Sequence, residues 1–316
     1  MGSLHLNARE LLVLATICVI WGFHYVVLKT GVEEIPALLY AAMRMSLVAL
    51  VMSPFLRWRP GRMGPLLLAG LCFGVLNYAF LFNGIKYATG SAAAIAIQLY
   101  VPFATILSIV FLGEKVGWRR TLGIALAFGG VAIVALTREH TSADARIGIG
   151  VGLVACSALT EAVGAILVKR LVGFKPQEML AWFGVIGSVC LWPAALTFEP
   201  GALSDLRSAE LGIVLGAVAY SALGSSVIGH TAYYWLLQRL PVSLVAPSTL
   251  ITTLLGIAFS VLFLGEQVGP PFIIGALMAL AGVAIVLLRS LGSPAIKNAG
   301  GAAAPGAPPA SLAEKK

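Results

Sequence analysis

The chain has 316 residues, of which 59% are hydrophobic and only 11% are charged. A soluble domain of this size cannot bury so much apolar surface, so the composition excludes a soluble globular protein and indicates an integral membrane protein. The formal net charge of +8 lies in short spacers and is not interleaved with aromatic residues on one face, which excludes a nucleic-acid partner and favours contact with anionic lipid.

Ten apolar stretches follow one another along the chain, and each is long enough to cross a bilayer as a helix of about 20 residues. They cover residues 11–31, 36–56, 65–85, 92–112, 117–137, 147–168, 178–197, 211–236, 242–264 and 270–288. A helix satisfies its own amide groups in lipid, and the alternating pattern of a β-barrel is missing. We therefore predict an all-α integral membrane protein with ten transmembrane helices, an N-terminal segment at 1–10 and a disordered tail at 290–316.

The distribution of Lys and Arg indicates the orientation of these helices. If both termini are cytoplasmic, the inner segments hold most of the basic residues. The outer loops then hold only Lys29, Lys86, Arg138, Arg146 and Arg207. Basic residues concentrate in the cytoplasmic loops of membrane proteins. We therefore expect that both termini are cytoplasmic.

The second half of the chain repeats the first half. FLGEKVG from Phe111 recurs as FLGEQVG from Phe263, and GVAIVAL from Gly130 recurs as GVAIVLL from Gly282 at the same spacing. Such a repeat indicates two five-helix units. The units are assigned to residues 11–140 and 141–289. Because five is odd, the second unit starts on the opposite side of the membrane, so the repeats are inverted. Inverted repeats are typical of secondary transporters that work by alternating access.

Several motifs resemble those of a transporter family. They are WGFHYVVLK from Trp21, Pro36 followed by Arg44, LGEKV after the fourth predicted helix, LGEQV after the ninth, and GxxxAxxG in the fifth and tenth. Over residues 11–289 the chain resembles the ten-helix EamA branch of the drug/metabolite transporter superfamily. The resemblance implies export of small metabolites, often amino acids, from a bacterial inner membrane. The length and the aromatic-rich first half are similar to those of aromatic amino acid exporters.

Polar and aromatic residues inside the predicted helices are the candidate substrate site, because ionisable groups are costly to expose to lipid. The candidates are Trp21, His24, Tyr25, Tyr78, Phe82, Gln98, Tyr100, Glu161, His230, Tyr234, Ser248 and Thr252. They would line a mostly apolar cavity with a few polar groups, which suits a neutral zwitterion or an amphipathic metabolite. Each aromatic residue has helix packing as an alternative role, and we expect that role for half of them.

The alignment of the two repeats compares these candidates. It pairs Tyr78 with His230, which would then face each other across the pseudo-two-fold axis. It also pairs Glu161 with Trp21, so the repeats have diverged around the site. No substrate contact can therefore be transferred from one repeat to the other.

Three charged residues are assigned structural roles. Arg44 lies within the second predicted helix, where a guanidinium with five donors can tie helices together. An ion pair with Arg44 is the alternative role of Glu161. Glu114 and Glu266 each follow an LG that ends a helix, and we expect each to accept hydrogen bonds from the amides that start the next helix.

Prolines and small residues predict hinges and helix packing. Pro102 and Pro247 lie inside predicted helices, where proline frees carbonyl groups, so both are hinge candidates. The small residues of GxxxAxxG allow close approach of helix backbones. We expect the fifth and tenth helices to pack as a pair or against the neighbouring bundle. Packing inside one repeat and homodimerisation are the alternatives. A monomer is expected, because the second repeat already supplies the partner that one repeat requires.

The motifs that would indicate an enzyme are missing. The chain has no GxSxG, no HExxH and no pair of aspartates within the predicted helices. It has no GxxxxGK[ST] loop and no closely spaced Cys and His residues, so we expect no ATP site, metal or cofactor. The prediction is a secondary transporter. A channel-like facilitator and an exporter of other metabolites or drugs are the alternatives, and proton antiport through His24, His230 or Glu161 stays open.

Overall fold

The computed structural model describes residues 7–112, 117–136, 144–169, 171, 173–237, 245 and 248–291. All regular elements in this part of the chain are helices. Nine of them are long and apolar enough to span a membrane, and the shorter apolar helix Ser248–Leu264 brings the set to ten. The predicted ten-helix, all-α class is confirmed. Glu114, Pro247 and the side chain of Tyr234 lie outside what the structure describes.

The helices follow the predicted order with small shifts at their ends. They are α1 (Ala8–Glu34), α2 (Ala37–Met52), α3 (Met63–Tyr87), α4 (Gly90–Phe111), α5 (Trp118–Leu136), α6 (Asp144–Lys169), α7 (Pro176–Phe198), α8 (Leu211–Tyr233, continued to Leu237), α9 (Ser248–Leu264) and α10 (Pro270–Leu291). A short additional helix, Ala202–Ser208, lies between α7 and α8.

Local sequence explains several helix starts. Asn7 accepts a hydrogen bond from the amide of Arg9, while Glu10 accepts one from the amide of Asn7, so α1 begins with a capping box. Pro36 and Pro176 stand at the starts of α2 and α7. The fixed φ of proline suits the first turn of a helix, where no amide donor is required.

The small faces of α5 and α10 pack against each other. A Cβ atom on Gly282 would lie 2.6 Å from the carbonyl oxygen of Gly123, and one on Gly130 would lie 2.8 Å from the Cα atom of Ala279. The start of α5 therefore meets the end of α10, which makes these equivalent helices antiparallel. The predicted pairing is confirmed, and the antiparallel direction is the one that inverted repeats require.

The two repeats exchange their first helices. α1 packs mainly against α8 and α9 of the second repeat, and α6 packs mainly against α3 and α4 of the first. α2 packs against its equivalent, α7. This pattern is preserved when each helix is replaced by its counterpart in the other repeat. The core at the centre of the bundle is therefore built from both repeats.

Charged side chains tie α2 to α7 at both ends. Glu199, which follows α7, accepts hydrogen bonds from the amides of Leu38 (2.9 Å) and Leu39 (3.0 Å) at the start of α2. In the loop after α2, Arg59 donates to both carboxylate oxygens of Glu178 in the first turn of α7, at 3.0 and 2.9 Å. Both hydrogen bonds come from Nη2 of Arg59, and charge-assisted hydrogen bonds are stronger than neutral ones. The α2–α7 pair is therefore anchored on both faces of the bundle.

Glu266 caps a helix of the other repeat. Its carboxylate accepts hydrogen bonds from the amides of Gly90 and Ser91 (2.9 Å for Ser91), which begin α4. We expected it to cap the next helix in the chain, α10, and that expectation is wrong. The first amides of α4 have no partner within their own helix, and they lie within hydrogen-bond distance of the Glu266 carboxylate.

We expect Glu266→Gln to lower the thermal stability of the protein. The substitution removes the negative charge that the amides at the start of α4 favour, at a cost of about 1 kcal/mol. The measurement is the unfolding temperature of the purified protein in detergent. Glu33→Gln is the matched control, because that carboxylate is 60% exposed and an exposed ion pair contributes little. Equal unfolding temperatures of the two variants would contradict the capping role.

Candidate functional site

Two equivalent helices contain π-helical segments near their centres. One spans Leu71–Leu76 in α3 and the other spans Tyr220–Gly229 in α8. The repeat alignment matches these segments to each other. π-Helical turns are rare and occur frequently at functional sites. These segments were not predicted from the sequence. The only signals that the sequence offers are a glycine in each segment and the serines of the second segment.

The π-helical segment of α8 surrounds His24 of α1 with hydroxyl groups. His24 is 9% exposed, its Nε2 atom lies 3.1 Å from Ser221 Oγ, and its Nδ1 atom lies 3.2 Å from Ser225 Oγ. The hydroxyl of Tyr40 lies 2.7 Å from the same Ser221 Oγ. A hydroxyl both donates and accepts, so this network is satisfied with either tautomer of the imidazole. His24 thus joins α1 to α8.

Arg44 of α2 lies beside this network. Its Nη2 atom donates to the Tyr78 hydroxyl (3.2 Å) and to Ser226 Oγ (2.8 Å). The guanidinium carbon lies 4.1 Å from the centre of the Tyr78 ring and 5.7 Å from that of Phe82, which is cation–π geometry. Arg44 therefore connects α2 with α3 and α8, which is the kind of contact a structural role requires.

Trp21 and His230 form the next layer of the site. The indole N–H of Trp21 donates to the Ser225 carbonyl oxygen (3.1 Å), and the Trp21 ring lies 5.5 Å from the rings of His230 and Tyr233. His230 Nδ1 lies 3.1 Å from the carbonyl oxygen of Ser226. His230 also borders a small, open pocket between the start of α7 and α8. The remaining residues lining that pocket are Pro176, Gln177, Leu180 and Thr231.

Glu161 of α6 faces the interior without a cationic partner. Asn77 of α3 lies beside its carboxylate and donates to the hydroxyl of Ser157 (3.0 Å). In the part of the chain that the structure describes, the ion pairs within 4.0 Å join Lys29 to Glu33 and two arginines to Glu178. The alternative role of Glu161 as the ion-pair partner of Arg44 is therefore wrong for this structure.

The other candidates lie in packing interfaces or at helix breaks. Phe82 is fully buried behind Tyr78, with its ring 4.8 Å from that of Tyr40. Tyr25 is half-buried against Gly256 of α9. Such contacts are those of core aromatic residues.

Residues of α9 lie in its interface with α1. Ser248 donates to the carbonyl oxygen of Val245 (2.6 Å), and its own carbonyl accepts from the thiol of Cys18 (3.6 Å). Thr252 is buried, and its carbonyl faces Gly22 of α1. Neither side chain forms a hydrogen bond with the His24 network among the described contacts.

α4 changes its helical geometry at its centre. A 3₁₀ turn, Ile97–Leu99, separates two α-helical halves, and Pro102 follows in the first turn of the second half. Proline has no amide to bond the carbonyl four residues earlier, which is that of Gln98. Gln98 is 7% exposed and its Nε2 atom has no partner, while Tyr100 is half-buried. A helix with this break is suited to bending.

The structure thus brings Trp21, His24, Tyr78 and His230 together around the π-helical segment of α8. It adds further polar residues that the sequence analysis did not assign to the site. These are Tyr40, Ser221 and Ser225. Isolated serines and tyrosines in apolar helices are common, so the sequence alone gives no reason to select them.

Comparison with known proteins gives relatives that match most of the chain. A "Probable amino-acid metabolite efflux pump" of Escherichia coli (strain K12) is 26% identical over 279 residues, which cover 85% of this chain and 91% of the relative. A "Probable terminal-alkyne amino-acid exporter" of Streptantibioticus cattleyicolor is 26% identical over 221 residues, which cover 69% of this chain and 71% of the relative. A solved crystal structure, 17% identical, superposes with a TM-score of 0.57 over 91% of this chain and 100% of its own, so it has the same fold.

The family comparison covers both repeats. The EamA-like transporter family matches residues 8–136 and again residues 148–288. Each matched segment contains five of the ten helices described above. The protein is a transporter that belongs to the EamA-like transporter family.

Proposed function

We propose that this transporter is a secondary carrier that exports amino acids, aromatic or other neutral ones, across the bacterial inner membrane. The observation that carries the proposal is the buried cluster of polar and aromatic side chains between the inverted repeats, which includes Trp21, His24, Tyr78 and His230. The printed names of the two relatives, both of which refer to amino acids, support the substrate class.

The chemistry of the cluster suits a small zwitterion. Trp21 and Tyr78 offer apolar ring surface, while the imidazole groups of His24 and His230 offer a few polar atoms. Sites for small molecules combine apolar walls with a small number of polar groups that fix orientation. Gln98, Tyr100 and Glu161 belong to the walls of the same pathway under this proposal.

The packing suggests which helices move during alternating access. The α2–α7 pair is anchored at both ends, and α5 and α10 are held by backbone contacts between their small faces. The helix breaks lie elsewhere, in α3, α4 and α8. We therefore assign the static frame to the first group and the bending to α3, α4, α8 and α9, with Pro102 and Pro247 as hinges.

A lysine joins α1 to the end of α3 at one face of the bundle, and under this proposal it closes the pathway there. Lys29 of α1 donates to the carbonyl oxygens of Ile85 (3.2 Å), Lys86 (3.4 Å) and Ala88 (3.2 Å) at the end of α3. A cation is favourable at a helix C-terminus. With both termini cytoplasmic, as the basic residues indicate, this face is the outer one. Export then requires these hydrogen bonds to break.

Counterflow in proteoliposomes tests the proposal. Radiolabelled Thr, Met, Phe and Trp are compared with and without an imposed pH gradient. We expect saturable exchange of at least one of them by the monomeric protein. Unitary conductance in planar bilayers would instead indicate a channel-like facilitator, and a lack of exchange of all four would contradict the amino acid assignment.

In the same assay, a pair of tryptophan variants tests whether the cluster around His24 is the transport site. We expect Trp21→Ala to reduce the rate of exchange at least about tenfold. This corresponds to an increase of about 1.4 kcal/mol in the activation free energy of transport. Trp58→Ala is the matched control, because Trp58 lies outside the cluster and is 65% exposed. Equal rates for the two variants would exclude the proposed site.

A further inference from the structure

A buried arginine without a counter-ion lies at the centre of the bundle. Arg44 is only 2% exposed, and it is the only Lys or Arg in the middle of a membrane helix that the structure describes. Its Nη2 atom bonds two hydroxyl groups, whereas its Nε and Nη1 atoms have no hydrogen-bond partner. Two of the five donors of the guanidinium are therefore used and three are not.

A structural role explains only part of this arrangement. The Nη2 contacts tie α2 to α3 and α8, but they are hydrogen bonds to neutral groups. Arginine keeps its charge in proteins, and a buried charge without an opposite charge is strongly unfavourable. An ionisable group at membrane depth is a candidate for function. The unsatisfied donors indicate a negatively charged ligand.

We propose that Arg44 binds the carboxylate group of the transported substrate. The proposal rests on the transport function proposed above and narrows its substrate class to small molecules with one carboxylate. A carboxylate accepts hydrogen bonds from guanidinium donors in a planar arrangement, and such charge-assisted bonds are strong.

The surroundings of Arg44 fit this ligand. The hydroxyl of Tyr78 accepts from Arg44, so its own hydrogen remains available to a carboxylate oxygen. The rings of Tyr78 and Phe82 lie against the guanidinium and exclude water, which strengthens the interaction with an anion. His24 and His230 lie close enough to Arg44 to interact with it electrostatically, and neither imidazole carries a negative charge.

At the position equivalent to Arg44, the second repeat supplies no second cation. The position equivalent to Arg44 is Gly184, where a Cβ atom would lie 2.8 Å from the amide nitrogen of Ala49. Any side chain there would collide with the backbone of α2. The described helices therefore offer one cation at this depth, which suits a monocarboxylate better than a substrate with several negative charges.

The test measures ligand-dependent thermal stability of the purified full chain in detergent. The ligands are Thr, Met, Phe and Trp, the corresponding amino acid amides, 3-phenylpropionate and sodium chloride. A ligand that binds the folded state raises the unfolding temperature in a saturable manner. We expect stabilisation by at least one amino acid and by 3-phenylpropionate, and none by the amides or by chloride.

Three variants connect this effect to Arg44. We expect Arg44→Gln to weaken carboxylate binding at least about thirtyfold, as loss of a buried charged partner does, and Arg44→Lys to have an intermediate effect because it keeps the charge. Arg207→Gln is the matched control, because Arg207 is exposed in the short helix after α7. Without ligand, Arg44→Gln should unfold at or above the temperature of the unchanged protein, since an unpaired buried charge has been removed.

The outcomes separate this inference from the transport proposal. If an amino acid stabilises the protein and the Arg44→Gln variant equally, Arg44 does not bind the carboxylate, while amino acid transport stands. If only 3-phenylpropionate acts, and only with Arg44 present, the inference stands and the amino acid assignment fails. Stabilisation by chloride that depends on Arg44, or lack of any carboxylate effect, overturns the inference. If Arg44→Gln does not fold, a wild-type affinity of Arg44→Lys overturns it as well.

Discussion

Gly282→Leu is expected to leave little stably folded protein. A Cβ atom at this position would lie 2.6 Å from the carbonyl oxygen of Gly123 and 2.9 Å from the Cα atom of Ala127. Backbone atoms cannot move aside without separating α5 from α10, so we expect a loss of at least about 3 kcal/mol, the upper range for overpacking. The measurement is the yield of monodisperse protein and its unfolding temperature in detergent.

Gly152→Leu is the matched control for this prediction. Gly152 lies in α6, and a Cβ atom there would meet nothing within 4 Å. The same change of residue at that position should leave the unfolding temperature close to that of the unchanged protein. If Gly282→Leu behaves like Gly152→Leu, the close contact between α5 and α10 does not hold the repeats together.

Glu161→Gln is expected to separate exchange from coupling to the pH gradient. Glu161 is the only acidic residue in the middle of a membrane helix that the structure describes. It faces Asn77 and lies near Tyr25 and Tyr233. Glutamine keeps the shape of the side chain but cannot carry a proton. We expect counterflow of the transported amino acid to persist, while transport driven by a pH gradient falls at least about tenfold, because intramembrane carboxylates serve as proton relays in transporters.

Asp205→Asn provides the control for this second prediction. Asp205 is exposed in the short helix between α7 and α8, so its protonation is not expected to accompany a step of transport. Both variants are reconstituted at equal density, and the gradient-driven rate is divided by the counterflow rate. An unchanged ratio for Glu161→Gln would assign proton coupling to another group, or would indicate transport without protons.

Several features of the site follow from the sequence only in part. The candidates Trp21, His24, Tyr78 and His230 were selected as polar or aromatic residues in apolar helices, and the structure brings them together. The same rule also selected Phe82, which is enclosed by other rings, and Ser248, which lies at the start of α9. A rule based on residue type does not distinguish between a wall of the site and the interior of an interface.

The class of fold, the number of helices and the inversion of the repeats follow from the amino-acid sequence alone. Each of these depends on local or periodic properties: the length of apolar stretches, the odd number of helices in each repeat, and the small residues at Gly130 and Gly282 that recur at one spacing. Such properties depend on the order of residues along the chain and do not require knowledge of which helices are neighbours.

The hydrogen-bond partners of individual side chains depend on the tertiary structure. His24 meets Ser221 and Ser225, which lie about two hundred positions further along the chain, and Glu266 caps α4 rather than α10. The exchange of α1 between the repeats brings His24 to α8, and the direct contact between α9 and α4 brings Glu266 to the start of α4. A hydrogen bond weakens when its donor–acceptor distance changes by a few tenths of an ångström. The packing of whole helices sets these distances, and no local pattern of residues does.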